Sequence, residues 1–548
     1  MRLVKFIIVV PLLVSGQAVA AQDALDRTNP VQQVDRERTL MPVRQQVRID
    51  IQPVIDATAP SDDVPPLEVG SIVIDGLDTL RRSDFAAVIE PYAGRSLSRA
   101  ELRQLTDQVA DHARKQGYIL ATAWIPEQAL TGGMLRIRVD EGGIDAIRLE
   151  GVDDPAVRAQ LQTLIDQRPI TLERLQRAVL LADDLPGAWI RSTRFENEGA
   201  RRVLVVDARR EDFRGTVQVS TDGTKPVAPV RARIDVDASG LLSPRDQIDL
   251  SYTMAPLDPN ELAFFNTRYS IVVNNAGTRV EAFGTYSQTR PGAYLAEFQL
   301  LGEAWQGGIR VRHPVMRTQR RSLWIDAAGE LQDLRQDQLG ALFRQDRIAL
   351  ARVGLYGYGP LAGGTLRGSA TLSQGLSILG ATQMGDPLAS RLDAEPDFTT
   401  FAWWASWERK LASRLSLSLA GRGQFSSAPL LIGESFTLGG GMFLRGYDVA
   451  QRVGDQGIAG FGELRYDWPD ALGNERNLQL YAYADGGTVS NLNGGIGDGT
   501  LASSGGGLRA DLTSMLNLGL EVAVPLTEVR YDTNDRSPRI NLRVAQSF

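Results

Sequence analysis

Few residues of this chain could carry reaction chemistry. There is no cysteine, and the two histidines, His112 and His313, lie 201 positions apart, so a His-Glu-x-x-His zinc site cannot form. Lysine occurs only at 5, 115, 225 and 410, and none begins a Lys-Ser or Lys-Thr pair, which removes the phosphate-cradling P-loop. Neither catalytic residues nor a metal or cofactor site is expected. Paired carboxylates such as Asp62-Asp63 and Asp183-Asp184 read as solvated surface charge. Basic residues are interspersed with acidic ones at a formal net charge of −7, which leaves no nucleic-acid footprint. The chemistry that remains is recognition by charge. Its first candidate is Arg445, between Leu444 and Gly446, in the run from Leu438 to Tyr447 where Gly439, Gly440 and Gly441 let the backbone turn tightly. A second is Asp485, in Tyr483-Ala-Asp-Gly-Gly487.

The elements that must position these residues are strands. From about Phe213 to Phe548 helical periodicity vanishes and alternating segments follow one another. Ala232, Ile234, Val236 and Ala238 face one way, and Arg231, Arg233, Asp235 and Asp237 the other. Leu516, Leu518, Leu520, Val522 and Val524 repeat the pattern, as do Ile540, Leu542 and Val544. One apolar and one polar face is the signature of a transmembrane antiparallel β-barrel with a wet lumen. Clustered Phe401, Trp403, Trp404 and Trp407 suit an interfacial girdle. A soluble sandwich also alternates, but the length of the pattern, an export signal and a terminal apolar strand weigh against it. Sixteen strands in 336 residues is 21 per strand and turn, and fourteen or eighteen also fit. In residues 478–485 the outward set is Leu478, Leu480, Ala482 and Ala484, so Asp485 shares the lumen face with Gln479, Tyr481 and Tyr483. A carboxylate there needs a partner or water. One interval breaks the hairpin rhythm, a long loop over about 426–457 that contains Arg445, and loops of that length are usually functional.

Ahead of the barrel, residues 1–20 read as a signal peptide: Arg2 and Lys5, an apolar run from Phe6 to Val14, then Ala18-Val19-Ala20. Its removal takes two positive charges, from −7 to −9. Residues 21–66 are polar and proline-punctuated, with a short helix over about 29–41, capped by Asn29 with Pro30 in its first turn, and a flexible linker behind it. Residues 67–141 and 142–210 each carry the order β-α-α-β-β, an internal repeat of α+β units. In the first, strands are expected at Val69–Ile74, Tyr118–Trp124 and Met134–Val139, with helices over Arg82–Tyr92 and after Ser98. A small sheet with helices on one face leaves an edge to which an extended peptide can add.

At the loop, the sequence resembles the two-partner secretion outer-membrane transporters of the haemolysin/haemagglutinin secretion-activation type, in the Omp85 superfamily. The superfamily's (Val/Leu)-Arg-Gly-(Tyr/Phe) motif matches Leu444, Arg445, Gly446 and Tyr447, and the preceding glycines are typical of the two-partner branch. Gly454-Asp-Gln-Gly457, Glu463-Leu-Arg-Tyr466 and the barrel-wall Asp-x-Gly motif at Asp485 and Gly487 also look like that branch. Five alternating segments follow the loop, placing Arg445 in the sixth extracellular loop of a 16-strand barrel, as the resemblance implies. The repeats then resemble POTRA domains, the first carrying Gly117-Tyr118, Ile125-Pro-Glu-Gln128, Gly133 and Asp140-Glu-Gly142. The resemblance implies a loop folded inward with Arg445 paired to Asp485, a role in which a planar guanidinium holds both carboxylate oxygens. It implies a bacterial outer-membrane protein with POTRA domains in the periplasm. These would bind an unfolded partner, a large β-helical adhesin, haemolysin or toxin, for export without nucleotide hydrolysis. Further expected partners are outer-membrane lipid and the barrel-assembly machinery, which would read the strand ending at Phe548. An assembly or insertion factor of the same superfamily is the alternative, and a diffusion porin a more distant one.

Overall fold

The computed structural model describes Asn29, residues 48–49 and residues 66–548, apart from 130, 166, 200, 472, 474, 475 and 496. The expected signal peptide lies outside the described residues, as do the 29–41 helix beyond Asn29 and most of the linker.

In the first α+β unit, β2 (Leu67–Val69) pairs with β4 (Arg95–Leu97), while β3 (Ser71–Asp75), β6 (Met134–Asp140) and β5 (Thr122–Trp124) form a sheet in the order β3-β6-β5. The helix α1 (Arg99–Lys115) begins where the sequence dictates. Ser98 Oγ accepts from Glu101 N, and the Glu101 carboxylate accepts from Ser98 N at 2.8 Å, a reciprocal capping box. Leu105, Val109 and Ala113 recur at four-residue spacing and are buried against Ile74, Phe85, Leu97 and Ile137. The expected helix over 82–92 is broken into a short α turn, Ala86–Ile89, between two 3-10 turns, the second holding Pro91, which has no N–H to give.

The second unit carries β7 (Ala146–Gly151), α2 (Pro155–Gln162), α3 (Leu172–Asp183), β8 (Ala188–Glu198) and β9 (Arg201–Arg210). A fourth strand, β1 (Arg48–Ile49), comes from the segment ahead of the first unit and lies parallel to Ser192–Thr193, giving the order β1-β8-β9-β7. The two units share a core. Ile119 and Leu120 of the first pack among Ile144, Leu161, Val179 and Leu204 of the second. That explains why β5 starts only at Thr122 rather than at Tyr118: Ile119 and Leu120 are buried in the junction instead of extending the sheet. Leu172 N donates to Gly117 O at 3.2 Å, Ile170 N to Gly142 O at 3.1 Å, and Arg202 pairs with Asp140 at 2.9 Å.

Sixteen antiparallel strands close the barrel. They are β10 (Phe213–Ser220), β11 (Arg231–Ser239), β12 (Asp246–Met254), β13 (Leu262–Val272), β14 (Arg279–Thr289), β15 (Leu301–Arg317), β16 (Ser322–Gln338) and β17 (Ala341–Leu361). Then follow β18 (Gly364–Leu376), β19 (Thr399–Lys410), β20 (Leu415–Ser426), β23 (Gln456–Trp468), β24 (Leu478–Ser490), β25 (Gly499–Asp511), β26 (Leu516–Pro525) and β27 (Arg539–Ser547). Two short strands inside the long loop, β21 (Phe436–Leu438) and β22 (Arg452–Gly454), pair only with each other. Closure is made by β10 on β27, from Thr216 opposite Ser547 to Ser220 opposite Arg543, and Gly215 and Phe548 exchange both main-chain hydrogen bonds at 3.0 Å. No helix among the described residues is long and apolar enough to cross a membrane. The strands supply the crossing surface: Ile234, Phe265, Ile309, Val353, Leu480 and Leu542 stand exposed on the outside, while the alternate positions turn inward.

The second unit is fastened to the near rim of this barrel. Asp183 and Asp184, expected as solvated surface charge, are instead engaged: Asp183 is buried and accepts from Ile190 N at 2.8 Å. Asp184 at the end of α3 accepts from Arg317 Nε and Nη2 at 2.7 and 2.8 Å, and its carbonyl accepts from Arg279 at 3.0 Å. Gln160 donates to Asn275 O at 2.8 Å, and Arg177 to Pro314 O at 2.9 Å.

Candidate functional site

The long loop, residues 427–455 between β20 and β23, starts from the far rim and folds into the lumen. Its local course follows from the glycines. Gly439 has φ +105°, and a Cβ there would lie 2.3 Å from Asp448 O, so the chain doubles back against itself only with hydrogen at that position. Gly446 also meets the wall closely, a Cβ lying 2.8 Å from Ser503 Cβ. Gly440 and Gly441 also have positive φ, and Leu444 is a non-glycine residue at φ +61°, an uncommon conformation for a bulky side chain. Leu444 is fully buried with Leu438, Phe443, Tyr447, Val489 and Leu501, which hold it there.

The tip meets four consecutive strands. Arg445 Nη1 donates to Glu463 Oε2 of β23 at 2.8 Å and to Glu521 Oε2 of β26 at 3.1 Å. Its guanidinium carbon stands 3.8 Å from the Tyr483 ring centroid on β24 and 4.8 Å from that of Phe461 on β23. Asp485, on β24, takes a different donor from the expected one. Its Oδ2 accepts from the Arg445 main-chain N–H at 3.0 Å and its Oδ1 from the Ser503 hydroxyl of β25, and Ser503 in turn accepts from Gly446 N at 3.1 Å. The expected side-chain pair between Arg445 and Asp485 is therefore replaced by one with Glu463 and Glu521, while Asp485 holds the loop backbone. Alternation explains the switch. Glu463, Asp485 and Glu521 all face the lumen on neighbouring strands, and the guanidinium, on a long stem, reaches past the carboxylate beside its own backbone.

Tyr447 is fully buried and ties the tip to the next loop: its hydroxyl accepts from Thr527 N at 3.0 Å and Glu528 N at 3.1 Å. Arg539 donates to Tyr447 O at 2.6 Å, and Asp448 accepts from Arg530 Nη2 at 2.7 Å. Gly487 lets β24 pass close to the loop, a Cβ there lying 3.0 Å from Leu438 Cδ2. At the loop's stem the Asp455 carboxylate is fully buried and accepts from Leu430 N and Leu492 N, both at 2.8 Å, and from Arg391 Nη1 at 2.6 Å. The motifs of the first α+β unit have structural roles too. Glu141 is fully buried and accepts from the main-chain N–H groups of Asp78, Thr79 and Leu80, while the Gln128 amide bonds both main-chain groups of Arg136.

Sequence reasoning missed Glu463 and Glu521 as partners of Arg445. A signal was available: each is a carboxylate on the lumen phase of its strand, as Asp485 is, although on β23 Asp467 shares that phase with Glu463. Glu434 and Arg352, which pair inside the barrel at 2.8 Å, carried no comparable mark. Chemically the arrangement binds and restrains, with charge held by charge inside a protein-lined lumen. No cluster of acidic, histidine or cysteine side chains suited to a metal ion occurs among the described residues.

Comparison with known proteins agrees with this geometry. The family described as haemolysin secretion/activation protein ShlB/FhaC/HecB matches residues 199–510, and the ShlB-type POTRA domain matches residues 67–142. Among relatives, the heme/hemopexin transporter protein HuxB of Haemophilus influenzae is 23% identical over 386 residues, covering 68% of this chain and 67% of its own. The outer membrane transporter CdiB of Dickeya dadantii is 23% identical over 457 residues, covering 78% and 77%. The solved structure of CdiB from Escherichia coli superposes with a TM-score of 0.72 at 20% identity, over 99% of this chain and all of that one, which speaks for the fold. With a family match spanning more than half its length, the chain belongs to the haemolysin secretion/activation proteins of the ShlB/FhaC/HecB type.

Proposed function

We propose that this outer-membrane transporter receives one unfolded partner protein in the periplasm and passes it through its barrel to the cell surface. The observation that carries the reading is the loop latched inside a closed 16-strand barrel, with two α+β units fixed at the opposite mouth. Those units stand on the periplasmic side and offer sheet edges to an extended chain, where main-chain hydrogen bonds give affinity with little demand on sequence. The β8 edge is occupied by Arg48–Ile49 of the same chain, whereas β5, which carries the exposed Trp124, is an edge strand of the first unit's sheet. Direction comes from folding of the partner outside, where burial of its apolar surface makes return unfavourable. Secretion of a dedicated partner predicts that depletion affects one surface protein, whereas loss of an assembly factor lowers many.

The test is Arg445→Ala. The barrel is expected to insert normally, seen as the usual mobility shift of the unheated protein, while surface delivery of the partner is lost. Parental export by a correctly inserted variant would refute the role given to the loop.

A further inference from the structure

The lumen wall of a membrane barrel is expected to be polar. On β15, β16 and β17 it carries a buried apolar patch instead: Ala304, Leu334, Ile348 and Leu350. The first turn of the long loop sits on that patch. Leu430 and Leu431 pack with Ile348 and Leu350, and Ile432 packs with Ala304 and Leu334. Beside them the Glu434 carboxylate accepts from Arg352 Nη2 at 2.8 and 2.9 Å and from Gln332 Nε2 at 2.7 Å. Arg352 is itself aimed by Glu330 at 3.0 Å and Ser373 at 2.6 Å. The tip of the same loop is fixed on β23 to β26, six strands further round the ring of sixteen. The loop therefore has two attachments on the lumen wall: its first turn on β15–β17 and, from Phe436 to the tip, β20 and β23–β26, where Arg422 Nη2 donates to Thr437 O at 2.6 Å.

We infer that residues 430–434 and their seat on β15–β17 form a second, releasable anchor of the loop, with Arg352 and Glu434 as its positioning residues. This rests on the export reading above. In the export reading a polypeptide shares the lumen with this loop, and release of one attachment is what widens its path. The tip is held through the main chain of Arg445 and Gly446 as well as by side chains from four strands. The base is held by one carboxylate, three apolar side chains and two main-chain hydrogen bonds, Gln424 Nε2 to Glu434 O at 2.9 Å and Ile432 N to Ser390 Oγ at 3.0 Å. That is a smaller set than the tip's, and an extended incoming chain with apolar and acidic residues can compete for each of them in kind. The base is the part that leaves, hinging on the segment docked from Phe436 onward.

The chain has no cysteine, so a pair can be introduced cleanly. A Cβ at Gly433 would lie 3.1 Å from Gln332 Oε1, and the variant Gln332→Cys with Gly433→Cys brings two thiols to the seat. In the full-length protein reconstituted in planar bilayers, the oxidised pair is expected to abolish step openings, and in cells to lower export at least tenfold. Reductant restores both. Glu434→Gln, made in the loop so that the wall is untouched, is expected to make openings several-fold more frequent. Failure of the thiols to join, or parental conductance and export from the cross-linked form, overturns the anchor. If the parental chain exports no partner while the conductance measurements behave as stated, the anchor holds for the pore and the export reading falls.

Discussion

Replacing Glu463 by Gln removes a charge that three guanidinium groups share: Arg445 at 2.8 Å, Arg465 at 2.6 Å and Arg509 at 3.1 Å. Breaking a buried pair by deleting one partner costs about 3–5 kcal/mol. Here Arg445 keeps Glu521 at 3.1 Å and the Tyr483 ring, and Arg509 is exposed enough to recover water. The net loss at the latch is then about 2–3 kcal/mol, or roughly 30- to 150-fold in the ratio of closed to open tip. Ser503, fully buried beneath Gly446, provides a reporter. With Ser503→Cys as the sole thiol, labelling by a water-soluble maleimide reads the open population when opening and closing are faster than labelling. Glu463→Gln in that background is expected to speed labelling by the same roughly 30- to 150-fold. Glu521→Gln, which removes one contact at 3.1 Å, is expected to give roughly tenfold or less, and Asp485→Asn the least, because an amide oxygen still accepts from Arg445 N. An acceleration below about threefold for Glu463→Gln, or a larger one for Asp485→Asn, would refute the assignment of partners.

Gly439→Ala forces a Cβ to within 2.3 Å of Asp448 O at a positive φ, a cost above about 2 kcal/mol, so the loop should become sensitive to protease in the inserted protein. Gly385→Ala, at φ +80° with open space around it, is the matched control and should leave the loop resistant. Glu141→Gln places an amide among three N–H groups that need an acceptor and should cost about 2 kcal/mol, read as faster hydrogen exchange confined to residues 78–80. The Glu101 carboxyl is held below its ordinary range, first by the Ser98 N–H and then by the Ser98 hydroxyl. Its contribution is therefore present above the unfolded value and disappears as pH falls through the lower folded one. Protection at the start of α1 should persist through the usual carboxylate range and drop below it, and Glu101→Gln should remove that dependence.

Alternation made the barrel legible because membrane and lumen demand opposite side chains at successive positions. Glu521, between Leu520 and Val522, shows the pattern at its plainest. The capping box at Ser98 and Glu101 was equally readable, since it is local. Partner choice was harder. Asp485 was singled out by its wall motif, yet which of three lumen carboxylates meets the Arg445 side chain depends on strand stagger and on how deep the loop descends. Neither is written in a residue's neighbours. The seat at Ile348 and Leu350 was hidden for the opposite reason: with Ala349 and Ala351 on the other phase, apolar residues on both phases blur the alternation of β17, and only the docked loop explains them. Ile119 and Leu120 continue the strand pattern of β5 in sequence but are drawn into a neighbouring core, which local periodicity cannot foresee.

That shared core has a geometric consequence. Ile119 and Leu120 are embedded in the second unit, and Asp184 is paired with Arg317 at the rim, so the outer sheet is joined to the barrel mouth through buried side chains and ion pairs. In the proposed function this arm acts as a ruler. A partner held at β5 must span a fixed gap before its next segment enters the lumen, at about 3.3–3.6 Å for each extended residue. The spacing between the segment that is recognised and the segment that threads first is thereby set by this chain, and shortening that spacing in a partner should stall entry even when both segments are intact.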